Sequence, residues 1–165
     1  YKLNWGPYAG IGFKSKYAYG RWGWEIAAGY EQKGAIFRNS LYQDHAKLNF
    51  AVLKPGMFLY FPLRNNDDIV TEVGVYGGYN IKANILSDSA NYSIKFGENW
   101  HRGDFGAFLK ITYDIKNVVT IGFDGSAGFL NTYEYTDFRG QTQSTRNLAG
   151  AFFVGVNVPR LFGIK

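Results

Sequence analysis

The chain has 165 residues and a formal net charge of +5, with 19% aromatic residues, 21 glycines, 4 prolines and no cysteine. That length suffices for one domain with a sizeable core, and the missing cysteines exclude disulfide and thiolate chemistry. The sequence has no apolar run of 18 or more residues, which excludes a transmembrane helix, and its scattered lysines and arginines form no dense patch for nucleic acid.

Seven segments alternate apolar with polar or small residues, the two-residue period of a strand between two environments. The first is Tyr8 to Lys14, with Ala9, Ile11 and Phe13 on one face. The second, Trp22 to Phe37, sets Trp22, Trp24, Ile26, Ala28 and Tyr30 against Glu25, Ala27, Gly29 and Glu31. In the third, Ala46 to Leu63, Leu48, Phe50 and Val52 lead into Pro55. Proline cannot donate to a sheet ladder. A bulge there would switch the facing of the residues after Lys54, and the phase of residues 56–63 stays open.

The fourth segment, Ile69 to Ile85, alternates over 17 residues. Strands of soluble sheets run about 5–6 residues, whereas a membrane-crossing strand needs roughly 9–11 and can project beyond the bilayer. Ile69, Val73, Val75, Tyr79 and Ile81 share one face; Glu72, Asn80 and Lys82 share the other. The fifth segment is Asp104 to Ile115, the sixth Val118 to Tyr133 and the seventh Asn147 to about Val158, all with the same alternation. A short alternation at Tyr92 to Phe96 reads as a β-extension of an outer loop.

Connections alternate in length. Those at 14–21, 64–68 and 116–117 are short; those at 38–45, 86–103 and 134–146 are longer. Short turns on one rim and long loops on the other form the pattern of outer-membrane barrels, with the short turns periplasmic. The expected fold is therefore all-β: a single domain over residues 1–165, an antiparallel up-and-down transmembrane β-barrel of about eight strands, seven of them visible. Bacterial single-chain barrels have even counts. The chain begins at Tyr1 without a methionine or a signal-peptide pattern, so it reads as a mature protein or a fragment. The expectation is that a strand precedes Tyr1 or that a partner closes the seam.

The order of these segments resembles the PorT-type small outer-membrane barrels of Bacteroidota, which have eight strands and an OmpA/OmpX-like architecture. The matching elements are Gly6–Pro7–Tyr8–Ala9–Gly10, Tyr30–Glu31–Gln32–Lys33–Gly34–Ala35, and the proline-containing strand Leu48 to Phe61. They continue with Glu72–Val73–Gly74–Val75–Tyr76–Gly77–Gly78–Tyr79 and Gly103–Asp104–Phe105–Gly106. The resemblance covers nearly the whole chain from the family's second strand onward. The end, Pro159 to Lys165, departs from the terminal aromatic residue common in such barrels. The resemblance implies an outer-membrane location and no single activity.

Glu25, Glu31, Glu72, Lys82, Lys110, Asp114 and Asp124 fall on the expected lumen face. They read as a salt-bridged plug, because about eight strands leave room only for side chains; an ion path is the other reading. Glu72 and Lys110 sit on neighbouring strands and could pair. Trp22, Trp24, Tyr60, Tyr113 and Tyr133 are expected in interfacial aromatic girdles. His101 with Asp104 and Ser89 or Ser93 is the one arrangement that could serve lipid hydrolysis or acyl transfer. The expected role is non-catalytic, without cofactor or metal: an accessory or structural subunit among other outer-membrane proteins, in contact with outer-membrane lipid and lipopolysaccharide. A stand-alone adhesion barrel, a lipid-modifying enzyme and a soluble lipocalin-like carrier are the alternatives.

Overall fold

The computed structural model describes the backbone of residues 4–5, 8–17, 20–38, 43–86, 91–93, 101–136 and 142–161, and the side chains of most of these. Its strands are β1 (Asn4–Trp5), β2 (Tyr8–Lys16), β3 (Trp22–Arg38), β4 (Gln43–Pro62), β5 (Asp68–Leu86), β6 (Asn91–Ser93), β7 (Gly103–Ile115), β8 (Val119–Thr136) and β9 (Thr142–Val156). A 3₁₀ turn covers Arg64–Asn66, and a one-turn helix, α1, covers Val158–Leu161. No helix among the described residues is long and apolar enough to cross a membrane, which says nothing of strands.

Seven long strands form one antiparallel meander in the order β2-β3-β4-β5-β7-β8-β9. The short β6 extends the edge of β5 through Ile85↔Tyr92. The sheet curls into a barrel-like wall, because inward side chains of β3 and β4 reach those of β7 and β8. A meander with an odd number of long strands starts and ends in the same direction. Accordingly β1 meets β9 in parallel, through Asn4↔Ala149 and Trp5↔Gly150.

The two rims differ as the sequence implies, but much of the longer connections is strand. β3 and β4 stay paired out to Arg38↔Gln43, and β8 and β9 out to Thr136↔Thr142. On the other rim the turns are tight. Lys116 and Asn117 both have positive φ, 49° and 57°, as do Asn65 and Asn66 at 68° and 63°. Paired left-handed residues match the twist of the flanking strands.

Two expectations about facing are corrected. Pro55 makes no bulge: Gly56, Phe58 and Tyr60 continue on the inner face set by Lys54, while Met57, Leu59 and Phe61 are exposed. The β4–β5 ladder lapses after Leu53↔Gly77 and resumes in the same register at Gly56↔Gly74. The shift lies higher, where Asn49↔Lys82 is followed by Phe50↔Asn80, leaving Ile81 as the extra residue. A bulge puts two residues of one strand opposite one of its partner and resets the alternation. Lys82 is therefore exposed and Ala83 buried, the reverse of the expected facing.

Ala83 joins Leu48, Phe50 and Val52 in an apolar cluster inside the wall, with Tyr8 packed against it. Close strand approach is fixed by glycine at Gly106, where a Cβ would lie 2.0 Å from the Ala127 carbonyl oxygen and 2.7 Å from the Tyr76 ring. At Gly77 nothing lies within 4 Å of a Cβ. Gly106→Ala is expected to lower stability by about 1–3 kcal/mol, the usual scale of overpacking. Gly77→Ala is expected to stay close to the parent protein in the same urea-unfolding experiment.

Candidate functional site: the buried charge network

Alternation sends every second side chain inward, and the inner positions carry most of the buried charge. Among the described residues, Lys33, Lys54 and Lys110 are buried together with Glu25, Glu31, Asp68, Glu72, Asp104, Asp114 and Asp124. A buried ion costs several kcal/mol unless paired and hydrogen-bonded, so geometry decides what these groups do.

They form two chains of alternating charge. In one, Lys110 Nζ lies 2.6 Å from Glu25 Oε1 and 2.5 Å from Glu72 Oε2, and Lys14 Nζ lies 3.3 Å from Glu25 Oε2. In the other, Lys54 Nζ lies 2.8 Å from Asp124 Oδ2 and 3.3 Å from Glu31 Oε2. Lys33 Nζ continues it, 2.9 Å from Asp104 Oδ2 and 3.9 Å from Glu31. Asp104 Oδ2 also accepts from the Tyr76 hydroxyl and the Asn147 amide, each at 2.9 Å.

Aromatic faces complete the solvation of the lysines. Lys33 Nζ is 3.8 Å from the centre of the Tyr76 ring and 5.3 Å from that of Phe50. Lys54 lies over Tyr8 and Phe108 at 5.2 and 5.7 Å. Such cation–π contacts strengthen where water is excluded.

Of the residues expected here, Glu25, Glu31, Glu72, Lys110, Asp114 and Asp124 lie buried on the inner face, and Glu72 and Lys110 are register partners joined by an ion pair. Asp114 accepts from the Thr120 hydroxyl at 2.7 Å. Lys82 is exposed, because of the Ile81 bulge. Lys33, Lys54, Lys14, Asp68 and Asp104 belong to the same inner set, although sequence reasoning did not place them there. Continuing the alternation from Glu31 would have found Lys33, and continuing it from Leu48, Phe50 and Val52 would have found Lys54.

The expected aromatic positions divide. Trp22 stacks on Tyr17 at 3.9 Å, and Trp24 lies against Phe13 at 5.5 Å, both on the outer side. Tyr113 is exposed, and its hydroxyl donates to Asp67. Tyr60 has inner parity instead. It donates to the Gly20 carbonyl oxygen at 2.6 Å and lies under Lys16 at 4.3 Å. The Tyr133 side chain lies outside the described residues. Asp104 Oδ2 is engaged by Lys33, Tyr76 and Asn147 inside, whereas His101 is exposed. Ser89 and the side chain of Ser93 lie outside the described residues.

The short-turn rim is tied by a second set of bonds. Asp67 accepts from the Tyr113 hydroxyl at 2.6 Å and from the Lys116 backbone N–H at 3.0 Å. Lys16 Nζ binds Asp68 at 3.1 Å. The Tyr113 hydrogen bond, followed by the Lys116 N–H, holds the Asp67 carboxyl below its ordinary value.

No family model, characterised protein or solved structure matches this chain.

Lys110→Met leaves Glu25 and Glu72 facing each other without their shared cation. It is expected to cost about 3–5 kcal/mol, the scale of an orphaned buried charge. Adding Glu72→Gln should recover part of that loss in a double-mutant unfolding cycle, while Lys82→Gln should stay within about 0.5 kcal/mol of the parent. For Asp67 the sign follows from its lowered value: its contribution is complete above the ordinary carboxylate range and fades as pH falls through the folded value. Acid unfolding of Asp67→Asn should therefore lack this component, and the two unfolding curves should converge at the lowest pH.

Proposed function

We propose that this chain is a non-catalytic outer-membrane β-barrel that acts as a structural or accessory subunit of a larger outer-membrane complex, for secretion, barrel assembly or nutrient uptake. One observation carries the membrane reading: the wall is inverted relative to a water-soluble protein. Its inner face holds the ion pairs. Its outer face exposes Leu53, Met57, Val73, Ile81, Phe105, Leu109, Ile111, Ile121 and Val154, among others. Exposed apolar area on this scale marks contact with lipid or protein. A soluble carrier would need the opposite arrangement, with apolar side chains lining its cavity.

Strand lengths support the same reading. The six strands β3, β4, β5, β7, β8 and β9 span 13 to 20 residues. About 9–11 tilted residues cross a bilayer, so the surplus projects, and the paired β3–β4 and β8–β9 extensions place it on the long-connection rim. The tight turns would then face the periplasm. The accessory role rests on the interior: paired charges and the Leu48–Phe50 cluster line the described inner face, which favours a scaffold over a conduit.

The protein is expected to sediment with outer membranes and to need detergent for release. Val73→Arg separates the readings further. On a lipid-facing wall it should cost about 2–4 kcal/mol near the bilayer midplane, against roughly 0.5 kcal/mol or less on a water-exposed surface. Unfolding in lipid vesicles measures it, and an indifferent Val73→Arg protein in the soluble fraction would overturn the membrane reading.

A further inference from the structure

The outer wall has a defined apolar band. From Ala51 to Phe61 on β4 and from Tyr79 to Ile69 on β5, no outward position is charged. The same holds from Tyr30 to Trp22 on β3 and from Gly103 to Tyr113 on β7. Ala51 to Phe61 is ten residue steps. At about 3.4 Å each and a tilt of about 40°, they stand roughly 26 Å tall, which matches the ~25 Å band of membrane barrels.

One register step past this band, toward the long-connection rim, the wall turns polar and basic. Tyr30, Ala51 and Tyr79 lie level across β3, β4 and β5; the next outward row is Gln32, Asn49 and Lys82. Lys47 is one outward position further along β4, diagonal to Lys82 at about 7–8 Å. Just before β7, Arg102 reaches the same side: its Nη1 donates to the Tyr79 hydroxyl at 2.8 Å, and its guanidinium carbon is 5.7 Å from the centre of that ring. Lys47, Lys82 and Arg102 are all exposed and span three adjacent strands, about 10 Å across. Among the described residues, no ion pair involves any of the three. Lys82 faces outward because of the Ile81 bulge, and bulges re-aim side chains where function needs them. Asn49 Oδ1 accepts from the Tyr30 hydroxyl at 2.5 Å and from Gln32 Nε2 at 3.1 Å, which leaves the Asn49 amide N–H groups to donate beside Lys82.

The opposite boundary lacks such a patch. Past Phe61, Ile69 and Tyr113, the next outward positions by alternation are Leu63, Asp67 and Ile115. Lys14 and Lys16 turn inward there, to Glu25 and Asp68, and Arg21, Arg64 and Lys116 sit in the turns beyond the strands.

We propose that Lys47, Lys82 and Arg102 bind the phosphate and sugar groups of a phosphorylated glycolipid, the lipopolysaccharide of the outer leaflet, whose acyl chains lie along the apolar wall. The proposal rests on the membrane reading above. A headgroup is what meets a wall one step past its apolar band, and the long-connection rim would face outward. Three cations without a carboxylate suit phosphate, which a guanidinium grips through its planar fork and an ammonium as a point charge. A zwitterionic headgroup would bring a further cation into that field. The hydroxyl and amide groups of Tyr30, Gln32 and Asn49 suit the hydroxyls of a sugar.

Binding of lipid A, the phosphorylated anchor of lipopolysaccharide, to the full protein in non-ionic detergent tests this. Each basic residue near an anionic headgroup contributes about fivefold, so K47Q/K82Q/R102Q should bind lipid A roughly a hundredfold more weakly than the parent. All three side chains are exposed, so the variant should refold as the parent does. Lipid A stripped of phosphate should bind the parent as weakly as lipid A binds the variant. Phosphatidylglycerol should lose no more than about fivefold on the same triple substitution. R64Q, in the turn on the opposite rim, should bind lipid A as the parent does. Undiminished lipid A binding by the triple variant, or equal binding of the dephosphorylated lipid, would overturn the proposal. So would an equal loss for phosphatidylglycerol, which marks a general anionic surface, or an equal loss in R64Q. Recovery of the parent protein in the soluble fraction without detergent would instead overturn the membrane reading, a separate result.

Discussion

Lys33, Lys54 and Lys110 join strands that share no backbone hydrogen bonds. Lys33 ties β3 to β7, Lys54 ties β4 to β8, and Lys110 ties β7 back to β3. Ladder hydrogen bonds fix each strand to its neighbours but leave the curvature of the whole sheet free to vary. These cross-struts remove that freedom, because opening the curl would separate buried ions from their partners. The network is thus a constraint on shape. Its net contribution to stability is small by comparison, since desolvation offsets most of the attraction.

The same constraint explains what the inner face can tolerate. Large apolar residues enter where no charge competes, at Leu48, Phe50 and Val52. Lysines lie where an aromatic ring and a carboxylate meet, as Lys33 does between Tyr76 and Asp104. Glycine is required where two strands and an inner ring converge, as at Gly106. The bulge at Ile81 belongs to this accommodation: by turning Ala83 inward in place of Lys82, it closes the apolar cluster and keeps another ammonium out of it.

Much of this was legible in the sequence, for a physical reason. Period-two alternation reports only which environment each side chain meets, and from Trp22 to Glu31 and from Asp104 to Ile115 the two environments differ enough to read directly. The carboxylates Glu25, Glu31, Glu72, Asp114 and Asp124 stand out as polar residues in apolar strands. Beyond Lys33, Lys14, Asp68 and Asp104, three features were not legible. The Ile81 bulge leaves no signature, since either Lys82 or Ala83 suits a wall position when read alone. Lys54 follows three apolar residues on its own face, Leu48, Phe50 and Val52, which masks it as an inner charge; beyond it Pro55 interrupts pairing and leaves the phase intact. Tyr60 looked like a girdle residue by type, while its parity turns it toward Lys16 and Gly20.

Residues that look most like chemistry in the sequence are therefore the ones most occupied in the structure. Asp104 receives three donors on one oxygen, and Lys110 is shared between two glutamates. A group so engaged must break several bonds before it can act on anything else, which suits it to hold strands at a fixed distance. Capacity left unspent lies elsewhere: among the described residues, Asn80 Oδ1 and Thr112 Oγ1 are buried without a hydrogen-bond partner, and along the edges of β2 and β9 lie backbone groups that no described strand receives. A sheet edge recognises another strand by direction and by the alternation of its side chains. The buried charges bear on such edges through curvature, because the cross-struts that fix the curl also set how far apart the edges of β2 and β9 stand.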